Sequence, residues 1–215
     1  MIFDTMTYIL TKVYESRQGI NCEFTPADSI ESGEGRTTLL LRASDWYDAG
    51  LHEGDTVDDG QFGSLYETSN LCRAIARAEK MLSSSDYSRA KLISRLTRYD
   101  IDRSYAEKAA DLMVERGYIN EAEQTKRIAR YYCLKKYWGK KRIAAELMGR
   151  GYDRRVIFAA LDEVTPEEYG YALRRLITQK FKEPPEDKRE MDNRIAALSR
   201  MGFSISEILE ALKEN

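Results

Sequence analysis

The sequence predicts a mainly α-helical protein in which three tandem three-helix repeats form an elongated, curved molecule behind a small strand-rich N-terminal domain. Three observations lead there. Short β-branched and aromatic runs confined to the first 43 residues give way to helical periodicity from about Gln61 to the end. Apolar residues in that helical part recur at a fixed period of 51 residues. Turn and capping residues recur in the same register.

The stretches Tyr8 to Tyr14 and Arg36 to Leu41 read as strands of a hairpin or small sheet, set apart by Gly, Ser, Pro and Asn clusters. Ser44-Asp-Trp-Tyr-Asp suits a single helical turn stopped by Gly50, and Leu51-His-Glu-Gly-Asp suits a turn. Beyond it, Leu96, Leu147 and Leu198 fall in register, as do Ile101, Tyr152 and Phe203, and Ala109, Ala160 and Ala211. Asp100, Gly151 or Gly202 follows each leucine by four residues, where a helix must end. Asp102, Asp153 and Ser204 then offer an oxygen to the first turn of the next helix, Ser204 with Glu207 as a capping box. Each repeat should hold a long helix, a short one, a tight turn and a third helix, the long ones spanning about Gln61–Ser83, Asn120–Tyr137 and Pro166–Lys182. Thr165-Pro166 starts the last of these, and Glu183-Pro-Pro-Glu breaks it. The expected domains are 1–60, a β-rich extension, and repeats at 61–118, 119–164 and 165–215. A unit this short cannot bury its apolar face alone, so neighbours should stack along an axis.

The apolar share of 42% and charged share of 33% are those of a globular chain. No apolar run approaches the roughly 20 residues that span a bilayer, and the N-terminus lacks the pattern of a signal peptide, so a cytoplasmic protein without a membrane partner is expected. Cys22, Cys72 and Cys133 are odd in number and far apart, which excludes a disulfide framework or a CxxC metal clip. His52 is the lone histidine and reads as a surface residue in a turn. The net charge of −2 conceals an asymmetry: residues 1–70 hold 4 basic and 13 acidic side chains, whereas residues 71–215 hold 30 and 23.

Phosphate loops, dinucleotide fingerprints, nucleophile elbows, HExxH and EF-hand patterns are all missing from the sequence, so no catalytic residue, cofactor or metal is expected. The functional signal is the segment from Lys126 to Arg155, in which eleven basic residues face only Glu146 and Asp153. Arg127, Arg130, Lys135, Lys136, Lys140, Lys141, Arg142, Arg154 and Arg155 are the candidate contacts to an anionic partner. Tyr131 and Trp138 join them, since an aromatic beside a cation suits base stacking or a protein interface. The plainer alternative is a solvated face with cations near a helix C-terminus, and aromatics that pack between helices. Lys141 and Arg142 are expected to point away from the apolar Ile143 and Leu147.

Three strings carry a resemblance: Tyr87-Ser-Arg-Ala-Lys-Leu-Ile-Ser-Arg-Leu, Glu115-Arg-Gly-Tyr-Ile-Asn-Glu-Ala, and Tyr137-Trp-Gly-Lys-Lys-Arg-Ile-Ala-Ala-Glu-Leu-Met-Gly-Arg-Gly-Tyr. Together they resemble the RecX family of RecA regulators, the last string through Gly139, Arg142, Ile143, Glu146, Leu147 and Gly151. The resemblance covers about residues 71–213, with Asn120-Glu-Ala-Glu-Gln departing from the family's usual continuation. It implies tandem three-helix units that lie in the groove of the RecA–DNA filament and inhibit its ATPase, strand-exchange and coprotease activities, and so affect recombination, DNA repair and the SOS response. The implied partners are RecA and single- and double-stranded DNA, with the chain itself a monomer. A helical-repeat nucleic-acid-binding module without a recombinase partner is the other class that the basic run allows.

Overall fold

Alternation of side chains decides the first part of the fold. The computed structural model describes residues 6–213. Strands β1 (Thr7–Ser16) and β2 (Gly19–Pro26) form an antiparallel hairpin, β3 (Thr37–Leu41) pairs with β2, and β4 (Thr56–Asp58) pairs with β1. The sheet order is β3-β2-β1-β4. Ile20, Cys22 and Phe24 alternate inward along β2 and meet Leu10, Leu39 and Leu41 in one core. The sequence reading missed β2, whose inward residues are interleaved with Asn21 and Glu23, and also β4, which buries Val57 alone. Helix α1 (Ala43–Ala49) ends at Gly50 in the left-handed conformation, as expected for that position.

Helix α2 (Asp59–Leu82) starts two residues before the expected Gln61, because Asp58 and Gln61 form a reciprocal capping box. It packs against β3 and β4. Phe62 stacks on Tyr8 and meets Phe24 edge-on, and the buried Ser69 hydroxyl accepts the Leu40 N–H at 2.8 Å. That bond satisfies a backbone donor on the edge strand, which would otherwise be buried at a cost of about 1–3 kcal/mol.

The remaining helices are α3 (Arg89–Leu96), α4 (Arg103–Glu115), α5 (Glu121–Lys136), α6 (Lys140–Gly149), α7 (Arg154–Asp162), α8 (Pro166–Lys180), α9 (Lys188–Arg200) and α10 (Ile205–Lys213). The chain divides into two compact units. The first takes residues up to Ser85 together with Leu92–Arg116, and there α2 packs on α4. The second takes Asp86–Lys91 and the chain from Gly117 onward, where α5 packs on α7 and α8, and α10 packs on α8 and α9. Residues 1–5 of the expected N-terminal extension, and residues 214 and 215 of the last expected repeat, lie outside the described residues.

Leu96, Leu147 and Leu198 are all fully buried, as are Ala109, Ala160 and Ala211 to within a few per cent. Asp100, Gly151 and Gly202 all adopt positive φ. Asp102 and Asp153 cap α4 and α7, accepting the N–H two residues on, and Ser204 with Glu207 caps α10 reciprocally. Thr165 and Glu168 do the same for α8, with Pro166 at its first position. Beyond α8, the buried guanidinium of Arg194 donates to the Glu183 carbonyl and lies over the Phe181 ring, which holds the Pro-Pro break in place.

In the second unit, two turns interlock. The Gly139 N–H donates to the Met201 carbonyl at 2.8 Å, and the Lys141 N–H donates to the Gly202 carbonyl at 3.1 Å. A Cβ on Gly139 would stand 2.4 Å from the Gly202 carbonyl carbon, so only glycine permits this approach. One period earlier, the buried Ser88 hydroxyl donates to the Arg150 carbonyl at 2.7 Å beside Gly151.

Candidate nucleic-acid and partner interface

The basic segment occupies α5, α6 and α7 of the second unit. Helix α5 buries Gln124, Thr125, Ala129 and Cys133, so its spacing leaves Arg127, Arg130, Tyr131 and Lys135 exposed. Lys135 and Lys136 lie in its last turn, where the helix dipole favours cations. Tyr137 ends the helix with φ of 54°.

The first turns of α6 and α7 break that logic. Lys140 and Lys141 open α6, Arg154 and Arg155 open α7, and neither helix has an acidic residue in its first turn. A cation at the positive end of a helix dipole is unfavourable, by about 0.3–1 kcal/mol. These four side chains are all exposed. They add to the positive potential of two helix N-termini, and all but Lys140, which reaches Asp162, offer the fold little in return.

The structure pairs several candidates with acids distant in sequence. Arg127 bonds Asp86, Arg130 Nε donates to Glu168 at 3.2 Å, and Lys140 Nζ donates to Asp162 at 2.6 Å. Lys126 bridges Glu163 at 2.7 Å, which raises its pKa. Together with Glu123, Lys126, Arg127 and Arg130 line a cavity of about 350 Å3 between α5 and α7. Lys135, Lys141, Arg154 and Arg155 have no ion pair among the described residues, and Lys136 lies 6.0 Å from the Tyr131 ring centre.

Arg142 departs from the expectation of a side chain turned to solvent. It is half-buried, its guanidinium lies 4.1 Å from the centre of the Trp138 ring, and it contacts Met201. Trp138 in turn stacks on Tyr132 with ring centres 4.4 Å apart and planes 6° from parallel. Glu146 accepts from Tyr132 and from Arg150 Nε, and Arg150 also reaches the Tyr132 hydroxyl. Burial is the largest cause holding the Tyr132 hydroxyl above the ordinary tyrosine pKa. The physical reason for the departure is that Trp138 offers a large π face, and a cation–π contact there is worth about 0.5–2 kcal/mol. Trp138 therefore packs between helices, whereas Tyr131 meets Tyr132 edge-on and stays 50% exposed. Helical spacing puts Tyr132 with Ala129 and Cys133 on the inward face of α5, where it packs against the core; Arg150 was not singled out, and its four-residue spacing from Glu146 was the one signal of their pairing.

Among the described residues no cluster of His, Cys, Asp and Glu could hold a metal, and no helix is long and apolar enough to cross a membrane. No protein-family model matches the chain. A regulatory protein RecX from Herbaspirillum seropedicae is 31% identical over 145 residues, covering 64% of this chain and 88% of that protein. The chain belongs to the RecX family. A second member, the regulatory protein RecX of Leptothrix cholodnii, is 29% identical over 137 residues and is covered over 85% of its length. A crystal structure of a regulatory protein RecX shares the fold with a TM-score of 0.75 at 18% identity, covering 97% of this chain and all of that one. The RecX fold therefore extends through the N-terminal sheet as well as the helices.

Proposed function

We propose that this RecX-family chain binds the RecA recombinase filament and lowers its ATPase, strand-exchange and coprotease activities, with consequences for recombination, DNA repair and the SOS response. It acts by binding and not by catalysis. The observation that carries the reading, beside family membership, is the set of exposed cations at the first turns of α6 and α7. Cations placed against the helix dipole are retained for a partner's negative charge. Lys135, Lys136, Lys141, Arg154 and Arg155 contact that partner, Arg127, Arg130 and Lys140 contribute once released from their acids, Tyr131 stacks, and Arg142 with Trp138 supports the surface from beneath. Single- and double-stranded DNA are the polyanions such a surface fits, and a cytoplasmic monomer is the form in which it works.

The helical part is organised as three tandem three-helix repeats at residues 61–118, 119–164 and 165–215, behind an N-terminal extension of residues 1–60. The matching contacts of Ser88 beside Gly151 and of Gly139 beside Gly202, one period apart, support that division.

The test is DNA-dependent ATP hydrolysis by RecA. Substoichiometric amounts of the chain lower it, and Lys141→Glu/Arg154→Glu/Arg155→Glu weakens the effect. A rate unchanged at several-fold excess over RecA refutes the proposal. The same cations favour one other reading, a nucleic-acid-binding module with no recombinase partner. Retention on single-stranded DNA at physiological salt without RecA, and no gain when RecA is added, selects it.

A further inference from the structure

The first unit carries a cleft that takes no part in the interface described above. Its volume is about 630 Å3, within the range of small-molecule sites. One wall is a stripe of α2, where Tyr66, Asn70, Arg73 and Arg77 recur at helical spacing. The facing wall is the Thr97–Tyr99 turn and the start of α4, which bring Tyr99, Asp100 and Tyr105.

Three features of this lining point to a ligand. First, neither arginine has an ion pair among the described residues, although Arg103 and Arg116 of the same unit are paired with Glu107 and Glu79. Arg73 spends one nitrogen on the Thr38 carbonyl, which fixes its guanidinium. Arg77 lies 3.6 Å from the centre of the Tyr99 ring, and its Nε is buried with no hydrogen-bond partner. Two arginine forks without acids match a phosphate. Second, Tyr66 and Tyr99 are 46% and 54% exposed, so each keeps π surface open to solvent. Third, Asp100 holds φ of 57° at a helix end where Gly151 and Gly202 stand one and two periods later. Aspartate is among the few L-residues that adopt this conformation, and here it sets a carboxylate in the lining of the cleft where the other two turns have none. The neighbouring Asp102 is held by the Ser104 N–H as a helix cap, whereas Asp100 has no such capping role.

We propose that this cleft binds a nucleoside monophosphate unit: the phosphate against Arg73 and Arg77, the base against Tyr66 or Tyr99, and an exocyclic amino group donating to Asp100. Guanine, adenine and cytosine carry such an amino group, and uracil and thymine do not. The unit is supplied either as a free nucleotide or as one nucleotide of a single strand, and the chemistry is the same. This inference does not rest on the recombinase reading, and its test reads nucleotide binding and not RecA activity.

The test titrates the full chain with GMP, AMP, CMP and UMP, following the backbone amide signals of Tyr66, Asn70 and Arg73 by NMR. A parallel titration uses a single-stranded oligonucleotide and its abasic counterpart. The three amino-bearing nucleotides shift the cleft signals at lower concentration than UMP. Arg73→Glu weakens binding by about tenfold or more, since it removes charge-assisted bonds and adds repulsion. Asp100→Asn keeps phosphate affinity and loses the preference over UMP, while Arg95→Glu, outside the cleft, changes neither. An oligonucleotide that binds the cleft far more tightly than GMP, and weakens when made abasic, identifies the strand as the source; equal affinities identify the free nucleotide. Signals that stay fixed in the cleft, an Arg73→Glu variant of unchanged affinity with native circular dichroism, or equal affinity for inorganic phosphate and every nucleotide overturns the proposal.

Discussion

Replacing Gly202 by alanine tests the interlocked turns of the second unit. Gly202 holds φ of 98°, which costs an L-residue about 1–2 kcal/mol. Its added Cβ would meet Arg142 N at 2.4 Å and the Gly139 carbonyl oxygen at 2.7 Å, both backbone atoms that cannot rotate away. Overpacking of that kind costs about 1–3 kcal/mol. Moving the turns apart also weakens the bonds from Gly139 N–H to Met201 and from Lys141 N–H to Gly202, each worth about 0.5–1.5 kcal/mol. The expected loss is about 2–5 kcal/mol from conformation and overpacking, rising to about 8 kcal/mol if both bonds are lost. Gly139→Ala keeps an ordinary φ of −81° and so escapes the conformational cost, but its Cβ meets the same Gly202 backbone, and the overpacking of about 1–3 kcal/mol and the weakening of the two bonds remain. Gly149→Ala, within α6 and with nothing near its Cβ, should be neutral or stabilising by up to about 1 kcal/mol. Urea titration measures all three in a Trp46→Phe background, where Trp138 alone reports on the second unit. A Gly202→Ala variant within about 0.5 kcal/mol of the parent would show that the turns do not interlock.

Leu147→Ala empties a fully buried site and should cost about 2–5 kcal/mol in the same titration, against no more than about 0.5 kcal/mol for the exposed Lys141→Ala. Charge reversal of Lys135, Lys136 and Lys141 should weaken binding to single-stranded DNA and flatten its salt dependence, because each lost phosphate contact removes released counterions; an unchanged slope in filter binding contradicts the assignment. Burial pushes the Cys22 thiol up to about 11 and the Cys133 thiol up to about 12. Unfolded thiols release their protons near the ordinary value while the folded ones keep theirs, so this stabilisation is complete below about pH 9 and is lost as pH rises from there toward 12; a urea midpoint that holds constant across that window refutes it. The acidic N-terminal part is expected to compete with DNA for the basic segment. Since the sheet packs on α2, the test is to neutralise the exposed Glu31 and Glu34 and not to truncate; binding at low salt should tighten, and an unchanged affinity dismisses competition.

Local signals in the sequence located the helix ends well. Gly50, Gly151 and Gly202 sit at positive φ where the chain turns, and Asp102, Asp153, Thr165 and Ser204 cap the helices they precede. Each of these acts within four residues of itself, and one-dimensional spacing suffices to find it. The strand β2 was less legible, because Ile20, Cys22 and Phe24 form only a short alternation and its partners lie on both sides in sequence. Of the interface, the concentration of cations and the exposure of Tyr131 could be read from composition and helical spacing.

The pairing of those cations could not. Asp86, Glu168 and Asp162 lie 41, 38 and 22 residues from Arg127, Arg130 and Lys140, and only tertiary packing brings the segment before α3, the start of α8 and the end of α7 within reach of them. Arg142 was assigned to solvent by helical phase, which fixes the direction of its Cβ, yet its long side chain lies along the Trp138 ring instead. The sequence by itself thus determined where helices begin and end, which leucines are buried and where positive charge gathers, because those depend on neighbours a few residues away. Tertiary structure alone decided which charges are neutralised, that Gly139 must meet Gly202 backbone to backbone, and that Tyr66, Arg73 and Arg77 face Tyr99 and Asp100 across a cleft, because electrostatics and steric contact act through space between elements whose relative placement no local pattern encodes.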